Sequence, residues 1–210
     1  MNQQFRVAAR AGHVEEMQAL LRDHPDLDVN SLNKAGSSAL HSASFNGHSE
    51  VVKLLLARPE IQVNLRIEGG RTPFLLCCLA NKLPVMKLLL KDPRVDVVSA
   101  DDEGCTPVWT VIRWSTVEVM EWMLASGREL GNLDVGYWEN QARVGYSLHT
   151  EQQREVGRLL TRFLYDPLQR CYELRVKLGM VDELAAEIFA LVVFLCDPKL
   201  RENMKKNEKE

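Results

Sequence analysis

Three groups of residues in this chain of 210 carry side chains that could do chemistry. Cys77 and Cys78 offer thiols, residues 101–103 (Asp-Asp-Glu) offer carboxylates for acid–base work, and five histidines are spread along the chain. The two cysteines are too close for an unstrained disulfide and have no histidine or aspartate at ligand spacing. No nucleophile accompanies the carboxylates, which we place at a turn tip where acids are commonly solvated. We therefore expect no catalytic residue, no metal site and no cofactor.

The positions of two histidines indicate structural roles. His13 and His48 each directly follow a glycine that can end a helix. The sequence contains no Gly-x-Gly-x-x-Gly, P-loop, His-Glu-x-x-His or Cys-x-x-Cys pattern. These histidines must therefore be understood from the elements that hold them.

Those elements follow a repeat of 34 residues. A single unit of this length cannot bury its apolar face, so the repeat predicts a stack of units that share one core. A turn motif and an apolar helix motif each occur three times at this spacing: Gly36-Ser37-Ser38-Ala39-Leu40-His41, Gly70-Arg71-Thr72-Pro73-Phe74-Leu75 and Gly104-Cys105-Thr106-Pro107-Val108-Trp109, then Val51-Val52-Lys53-Leu54-Leu55-Leu56, Val85-Met86-Lys87-Leu88-Leu89-Leu90 and Val119-Met120-Glu121-Trp122-Met123-Leu124.

Each part of the unit has a local physical explanation. A glycine permits the left-handed backbone of the turn, and Thr72 and Thr106 are N-caps in front of a helix-starting proline. Gly47 ends the first helix, and the second helix is apolar on most faces because it lies between units. Asn30 and Asn64 close the units, where they can satisfy backbone groups of the loops.

Residues 33–56 resemble the ankyrin repeat, whose pattern is a glycine turn, Thr-Pro-Leu-His, a short helix, Gly-His and Glu-Val-Val-x-Leu-Leu-Leu. Another two-helix repeat of 34 residues exists, but the turn and the Gly-His stop fit it less well. The third and fourth units depart from the pattern, with residues 81–82 and 115–116 in place of Gly-His. The resemblance implies an all-α ankyrin-repeat α-solenoid with short turn fingers, in which His41 joins hydrogen bonds between repeats. We predict helix pairs at 2–22, 37–57, 71–91 and 105–125, and turn tips at 31–37, 65–71 and 99–105.

The regular spacing ends near residue 130. We expect an ankyrin-repeat domain at 1–130, a degenerate repeat with a helical C-terminal cap at 131–198, and a charged, disordered tail at 199–210. Within the second region, a helix around 155–160 lacks a complete first helix near 146–149, and further helices follow at 168–178 and 184–196. The 13 apolar residues at 184–196 are fewer than the roughly 20 that cross a membrane, so we interpret them as the cap. Self-association through 184–196 and contact with a further domain are the alternatives.

Charge and cysteine usage indicate the compartment and the class of partner. The net charge is −3 with both signs scattered, which favours neither a nucleic acid nor an anionic membrane as partner. The five cysteines lack the spacing of a disulfide framework, and residues 1–4 run directly into a repeat helix without a secretory signal. We expect a monomeric, intracellular and cytoplasmic protein.

The resemblance also implies where a partner binds. In proteins similar to this family, partners touch the turn residues beside the repeat glycine and the two residues before Gly-His, and aromatic and arginine side chains are enriched among interface hot spots. For Trp114 the alternative is packing onto the region after residue 130. The predicted partner-binding residues are Lys34, Ser37, Phe45, Asn46, Glu68, Arg71, Leu79, Asp102, Glu103, Arg113 and Trp114.

We therefore expect a non-catalytic protein–protein interaction module or scaffold that holds an unidentified protein on its concave face and turn tips. The alternative is a regulatory or targeting region of a larger enzyme whose catalytic part lies outside this chain. A reading frame that continues into a catalytic signature would favour this alternative.

Overall fold

The computed structural model describes residues 1–131, 151–165 and 167–180. In these ranges the chain forms α-helices joined by turns, without any strand. The predicted helices near 146–149 and at 184–196, and the predicted tail at 199–210, lie outside the described residues. The helices are α1 (Asn2–Ala11), α2 (Val14–Asp23), α3 (Ala39–Asn46), α4 (Ser49–Leu56), α5 (Pro73–Leu79), α6 (Leu83–Lys91), α7 (Pro107–Trp114), α8 (Val117–Ala125), α9 (Glu151–Tyr165) and α10 (Pro167–Lys177).

The first eight helices form four consecutive pairs, as the repeat predicts. The first helices α1, α3, α5 and α7 pack against one another in chain order, and the second helices α2, α4, α6 and α8 form a parallel layer. Each pair lies within two residues of its predicted bounds. The prediction of an all-α repeat solenoid is therefore confirmed.

The hydrophobic core is continuous between the two helix layers. Leu40 and Ala43 of α3, Leu55 of α4 and Leu89 of α6 are completely buried. Each of them belongs to one unit but contributes to a cluster that extends through all four pairs. The stack therefore buries apolar surface that a single helix pair would expose.

The helix ends follow the local predictions. Thr72 and Thr106 accept hydrogen bonds from backbone N–H groups in the first turns of α5 and α7, at 3.2 and 3.1 Å. Gly47 ends α3 in the left-handed conformation with φ of 87°. Asn81 stands one period later and has a φ of 52°. Asparagine tolerates this conformation better than most residues, so the third unit keeps its turn without the glycine.

Two asparagines join consecutive units. The Asn30 side chain donates to the Glu60 carbonyl at 2.9 Å and accepts from the Gln62 N–H at 2.8 Å. Asn64 makes both bonds again one unit later, each at 2.7 Å. The predicted role of these residues in satisfying loop backbone groups is confirmed, and the groups belong to the neighbouring unit.

Arginines form a second link between units, which the sequence analysis did not identify. Arg94 donates to the carbonyls of Leu56, at 2.7 Å, and Arg58, at 3.2 Å, at the end of α4. Arg128 donates in the same way to carbonyls beyond α6, including that of Asp92 at 3.0 Å. The last carbonyls of a helix have no partner within the helix, and these arginines supply one.

The helices α9 and α10 cover the last pair. Both pack against α8, and Val156 and Leu160 of α9 are buried. Arg175 of α10 donates to the carbonyls of Ala125, at 2.7 Å, and Ser126, at 3.1 Å. None of the helices in the described ranges is long and apolar enough to cross a membrane.

Candidate binding face

The turn tips 33–37, 67–71 and 101–105, together with the exposed sides of the first helices α1, α3, α5 and α7, form a surface that we call the inner face. The three tips share one backbone geometry, with a positive φ at the repeat glycine. In each tip, the N–H three residues before this glycine donates to the carbonyl directly after it: Asn33 to Ser37 at 3.0 Å, Ile67 to Arg71 at 3.0 Å and Asp101 to Cys105 at 3.1 Å.

A side chain also closes the first tip from within. The Asn33 side-chain oxygen accepts from the N–H groups of Ala35 and Ser37, both at 2.9 Å. Asparagine favours such turns because its side chain can take the place of a backbone acceptor. These local bonds fix the turn, so the outer side chains of the tip are not needed to hold its conformation.

The third tip is closed by a carboxylate. Asp101 accepts from the N–H groups of Glu103 at 3.1 Å and Cys105 at 2.8 Å, and from the Arg71 side chain at 3.3 Å. The expectation that residues 101–103 are solvated is wrong for Asp101, which is only 7% exposed. Asp101 closes its tip from the repeat position that Asn33 occupies two periods earlier, although Asn33 itself is exposed.

Further bonds join the second and third tips. The Asp102 N–H donates to the Gly69 carbonyl at 3.0 Å, and the Asp102 carboxylate accepts from Arg66 at 3.2 Å. Arg71 reaches Asp101, as described, and lies 3.9 Å from Glu103. Arg71 and Asp102, which the sequence analysis predicts only as partner-binding residues, therefore also hold neighbouring tips together.

The predicted partner-binding residues are distributed along this face. Asn46 lines one of its cavities, and Trp114 stands two periods later in the chain. Of the region after residue 130, which was the alternative packing partner for Trp114, residues 132–150 lie outside the described ranges. Exposed are Lys34, Phe45, Asn46, Glu68, Asp102, Glu103 and Trp114, and partly exposed are Ser37, Arg71, Leu79 and Arg113.

The end of α7 carries a stacked group of side chains. The Arg113 guanidinium lies 4.6 Å from the centre of the Trp114 ring and 5.7 Å from that of Trp109. Such cation–π contacts hold the arginine over the ring faces. Trp114 remains 60% exposed.

Two neighbouring cavities lie between the first helices and the first tip. One, of ≈ 430 Å³, is lined by Arg6, Val7 and Lys34, among others. The other, of ≈ 350 Å³, extends to Phe45 and Asn46. The inner face is thus concave here. The sequence analysis missed the part that α1 contributes, because the first unit has no turn motif from which positions could be transferred.

His41 and His48 have the structural roles that were predicted for them. His41 Nε2 lies 2.9 Å from the Leu65 carbonyl, and Nδ1 lies 2.8 Å from the Ser38 hydroxyl. Burial lowers the pKa of His41, although hydrogen bonds to backbone groups oppose the shift. His48 Nε2 contacts the Arg10 carbonyl of the preceding unit at 2.9 Å.

The three thiols that the structure describes, those of Cys77, Cys78 and Cys105, belong to the core or to a turn tip. Cys77 and Cys78 are buried, and burial, together with the neighbouring Cys78, raises the pKa of Cys77 well above its usual value. Burial, followed by the charges of Asp101 and Glu103, also raises the pKa of Cys105. In the part of the chain that the structure describes, no cluster of histidine, cysteine, aspartate or glutamate could hold a metal ion.

Comparison with known proteins places the first two units in a family context. A family model described as "Ankyrin repeats (many copies)" matches residues 5–56, which include most of α1 and all of α2 to α4. The chain is also similar to proteins named "Notch-regulated ankyrin repeat-containing protein" from Homo sapiens and Mus musculus, each 39% identical over 54 residues. The same holds for the Xenopus tropicalis protein of that name. These matches cover 25% of this chain and 47% of the relatives, so the chain spans about half the length of the relatives it matches.

Proposed function

We propose that this ankyrin-repeat protein is a non-catalytic interaction module that binds a protein partner through its inner face. Ankyrin repeats are generally protein–protein interaction modules. The observation that carries the proposal is the exposure of Phe45, at 51%, and Trp114, at 60%, on this face, whereas Phe5 and Phe74 are completely buried. Exposed aromatic side chains are frequent among the hot spots of interfaces.

The environment of these two side chains supports the proposal. Phe45 borders a cavity, so that a partner side chain could contact both the ring and the cavity wall. Arg113 is already stacked on Trp114, which reduces the side-chain entropy that binding would remove. Both sites present a large contact area that the stacking of the repeats does not use.

We also propose an intracellular, cytoplasmic location and a monomeric state, without a nucleic acid or membrane as partner. Free thiols at Cys77, Cys78 and Cys105 suit a reducing compartment. The mixed surface charge, with a net value of −3, supports a protein partner. Self-association through 184–196 concerns residues outside the described ranges, and size-exclusion chromatography over a range of concentrations tests it.

The function is tested by affinity capture from extract of the native cells with the variant Phe45→Ala/Trp114→Ala. We expect the variant to lose the partners that the unmodified protein recovers and to keep its melting temperature, because both side chains are exposed. Arg71→Ala is unsuitable here, since it would also break the bond to Asp101. The matched control is Val176→Ala, which removes a 49% exposed apolar side chain from α10.

One result would refute the proposal. If the double variant recovers every partner of the unmodified protein, the inner face is not the binding surface. Loss of the same partners by the Val176→Ala control would instead indicate a nonspecific loss of exposed apolar surface.

A further inference from the structure

The two cavities of the inner face form one continuous groove. They share Arg10, Asn33 and Ser42 in their walls. The groove runs from α1, past the first tip, to the end of α3. With volumes of ≈ 430 and ≈ 350 Å³, each part is large enough for one or two side chains of a bound segment.

The charge of this groove is one-sided. Arg6, Arg10 and Lys34 line it, and no acidic residue lies in its described walls. Neither Arg10 nor Lys34 makes an ion pair with any described residue. Arg6 donates to the Ser31 hydroxyl at 2.9 Å, but its Nε is buried and has no hydrogen-bond partner. Three cations that have no counter-charge among the described residues thus converge on one concave surface.

Apolar surface lies beside these cations. Val7 of α1 is 59% exposed within the groove, whereas Phe5, Ala8 and Ala9 of the same helix are buried. Phe45 stands at the other end, with Ile67 and Leu76 in the same wall. A ligand that fits must therefore combine negative charge with an apolar side chain.

We propose that this groove binds an acidic peptide segment that carries a single aromatic or branched aliphatic anchor. The inference rests on the proposed function and specifies the chemistry of the partner. The anchor packs between Val7 and Phe45, while flanking carboxylates pair with Arg10 and Lys34. Arginine suits this role because its guanidinium can bind a carboxylate with two hydrogen bonds.

A nucleic acid fits the surface less well. It would also place phosphates close to Glu68, Asp102 and Glu103 on the following tips, which are exposed and negatively charged. Phosphate binding requires positive charge along the whole path of the backbone. The cations here are confined to the first two units, as expected for a short peptide.

The test is a phage-displayed library of random 12-residue peptides, selected on the full chain. Synthetic fluorescein-labelled copies of the selected peptides are then titrated by fluorescence anisotropy at low and high salt. We expect the selected sequences to be enriched in aspartate and glutamate around one apolar residue. Their affinity should fall with salt, because exposed ion pairs are screened.

Charge reversal identifies the groove. We expect Arg10→Glu and Lys34→Glu each to lower the affinity for the acidic peptides by roughly tenfold, because each variant replaces an attraction by a repulsion. The matched control is Lys91→Glu, which changes the charge equally at an exposed site and, like Arg10, lies in the last turn of its helix. The control should leave the affinity within about twofold. Thermal melts by circular dichroism verify that all variants are folded.

Several outcomes would overturn the inference. Failure to select any peptide, or equal weakening by Lys91→Glu, would do so. The inference would also be wrong if a labelled single-stranded 12-nucleotide DNA bound the same residues more tightly than the peptides do. A dimer of the chain that the Arg10→Glu variant dissociates would likewise overturn it. Selection of neutral peptides whose binding is lost in Phe45→Ala/Trp114→Ala would leave the proposed function standing and overturn only the acidic specificity. Peptides insensitive to every inner-face variant would overturn both.

Discussion

Replacement of Asp101 by alanine should destabilise the protein far more than its place at a turn tip suggests. The carboxylate side chain is only 3% exposed. It accepts from two backbone N–H groups, at 2.8 and 3.1 Å, and from Arg71 at 3.3 Å. Alanine removes all three bonds and leaves the tip without its internal acceptor.

The magnitude follows from the kind of bond that is lost. A hydrogen bond to a charged group contributes roughly 1.5–3 kcal/mol, and water can replace part of it where the donor is near the surface. For two backbone donors beside solvent, we expect Asp101→Ala to lower the free energy of unfolding by about 2–4 kcal/mol. The pair with Arg71, whose side chain is 39% exposed, adds only about 0–1 kcal/mol.

Asp101→Asn separates the two contributions. An amide oxygen can still accept from both N–H groups, as Asn33 does at the equivalent tip with two bonds of 2.9 Å. We therefore expect this variant to lower the free energy of unfolding by less than about 1 kcal/mol, which is the contribution of the ion pair between Asp101 and Arg71. The isosteric change thus tests whether turn closure, rather than charge, is the main role of Asp101.

The assay is urea denaturation followed by circular dichroism, with Asp102→Ala as control. The Asp102 side chain is 66% exposed, and among the described residues its carboxylate pairs only with Arg66, so its removal should lower the free energy of unfolding by less than about 1 kcal/mol. If Asp101→Asn is as destabilising as Asp101→Ala, the ion pair dominates and the argument from turn closure is wrong. An unchanged free energy of unfolding in both variants would mean that the tip does not depend on this side chain.

Three further predictions concern the core, the pH dependence and the C-terminal end. Leu55→Ala and Leu89→Ala should each lower the free energy of unfolding, measured by urea denaturation, by about 2–5 kcal/mol, because both side chains are completely buried and their removal leaves a cavity. Unchanged denaturation midpoints would show that the helix register is wrong. Burial lowers the pKa of His41 from 6.5, so as the pH falls the unfolded chain is protonated at this histidine before the folded protein is. The contribution of His41 to the free energy of unfolding should therefore be constant above pH 6.5 and decrease below it. His41→Asn should remove this part of the pH dependence of the melting temperature, and an identical slope in both proteins would contradict the assignment. Truncation after Gly179 should lower the melting temperature or cause aggregation, and a truncated protein as stable and soluble as the whole would show that 184–196 is not a cap.

The fold was predictable because its signals are local and periodic. The turn glycine, the N-cap at Thr72 and the apolar second helix recur at fixed spacing, and each acts within a few residues of the chain. The resemblance to ankyrin repeats is confirmed by the family match over residues 5–56. Even the departure at Asn81 keeps the backbone conformation that the pattern requires.

The candidate site was predicted less completely, because its side chains have two roles. Arg71 was selected for its position beside the repeat glycine and because arginine is frequent in interfaces, but its guanidinium is also bound to the adjacent tip. The role of Asp101 had a signal in the sequence, since Asn33 and Asp101 stand at the same position of the repeat and both can close a turn. The groove beside α1 had no such signal, because cations and apolar residues on a terminal helix are common and only the packing of α1 against α3 brings them together.

The arginine links explain how the fourth described pair is completed. Arg94 satisfies carbonyls at the end of α4 from 36 and 38 residues away, and thus from the following unit. The carbonyls of Ala125 and Ser126 after α8 need the same donors, but no further regular unit follows in the repeat pattern. Arg175 supplies them from α10, 49 and 50 residues further along the chain. The helix α10 therefore gives the fourth pair the kind of hydrogen bonds that the second and third pairs receive from Arg94 and Arg128, and this is what a terminal element of a stacked array must provide.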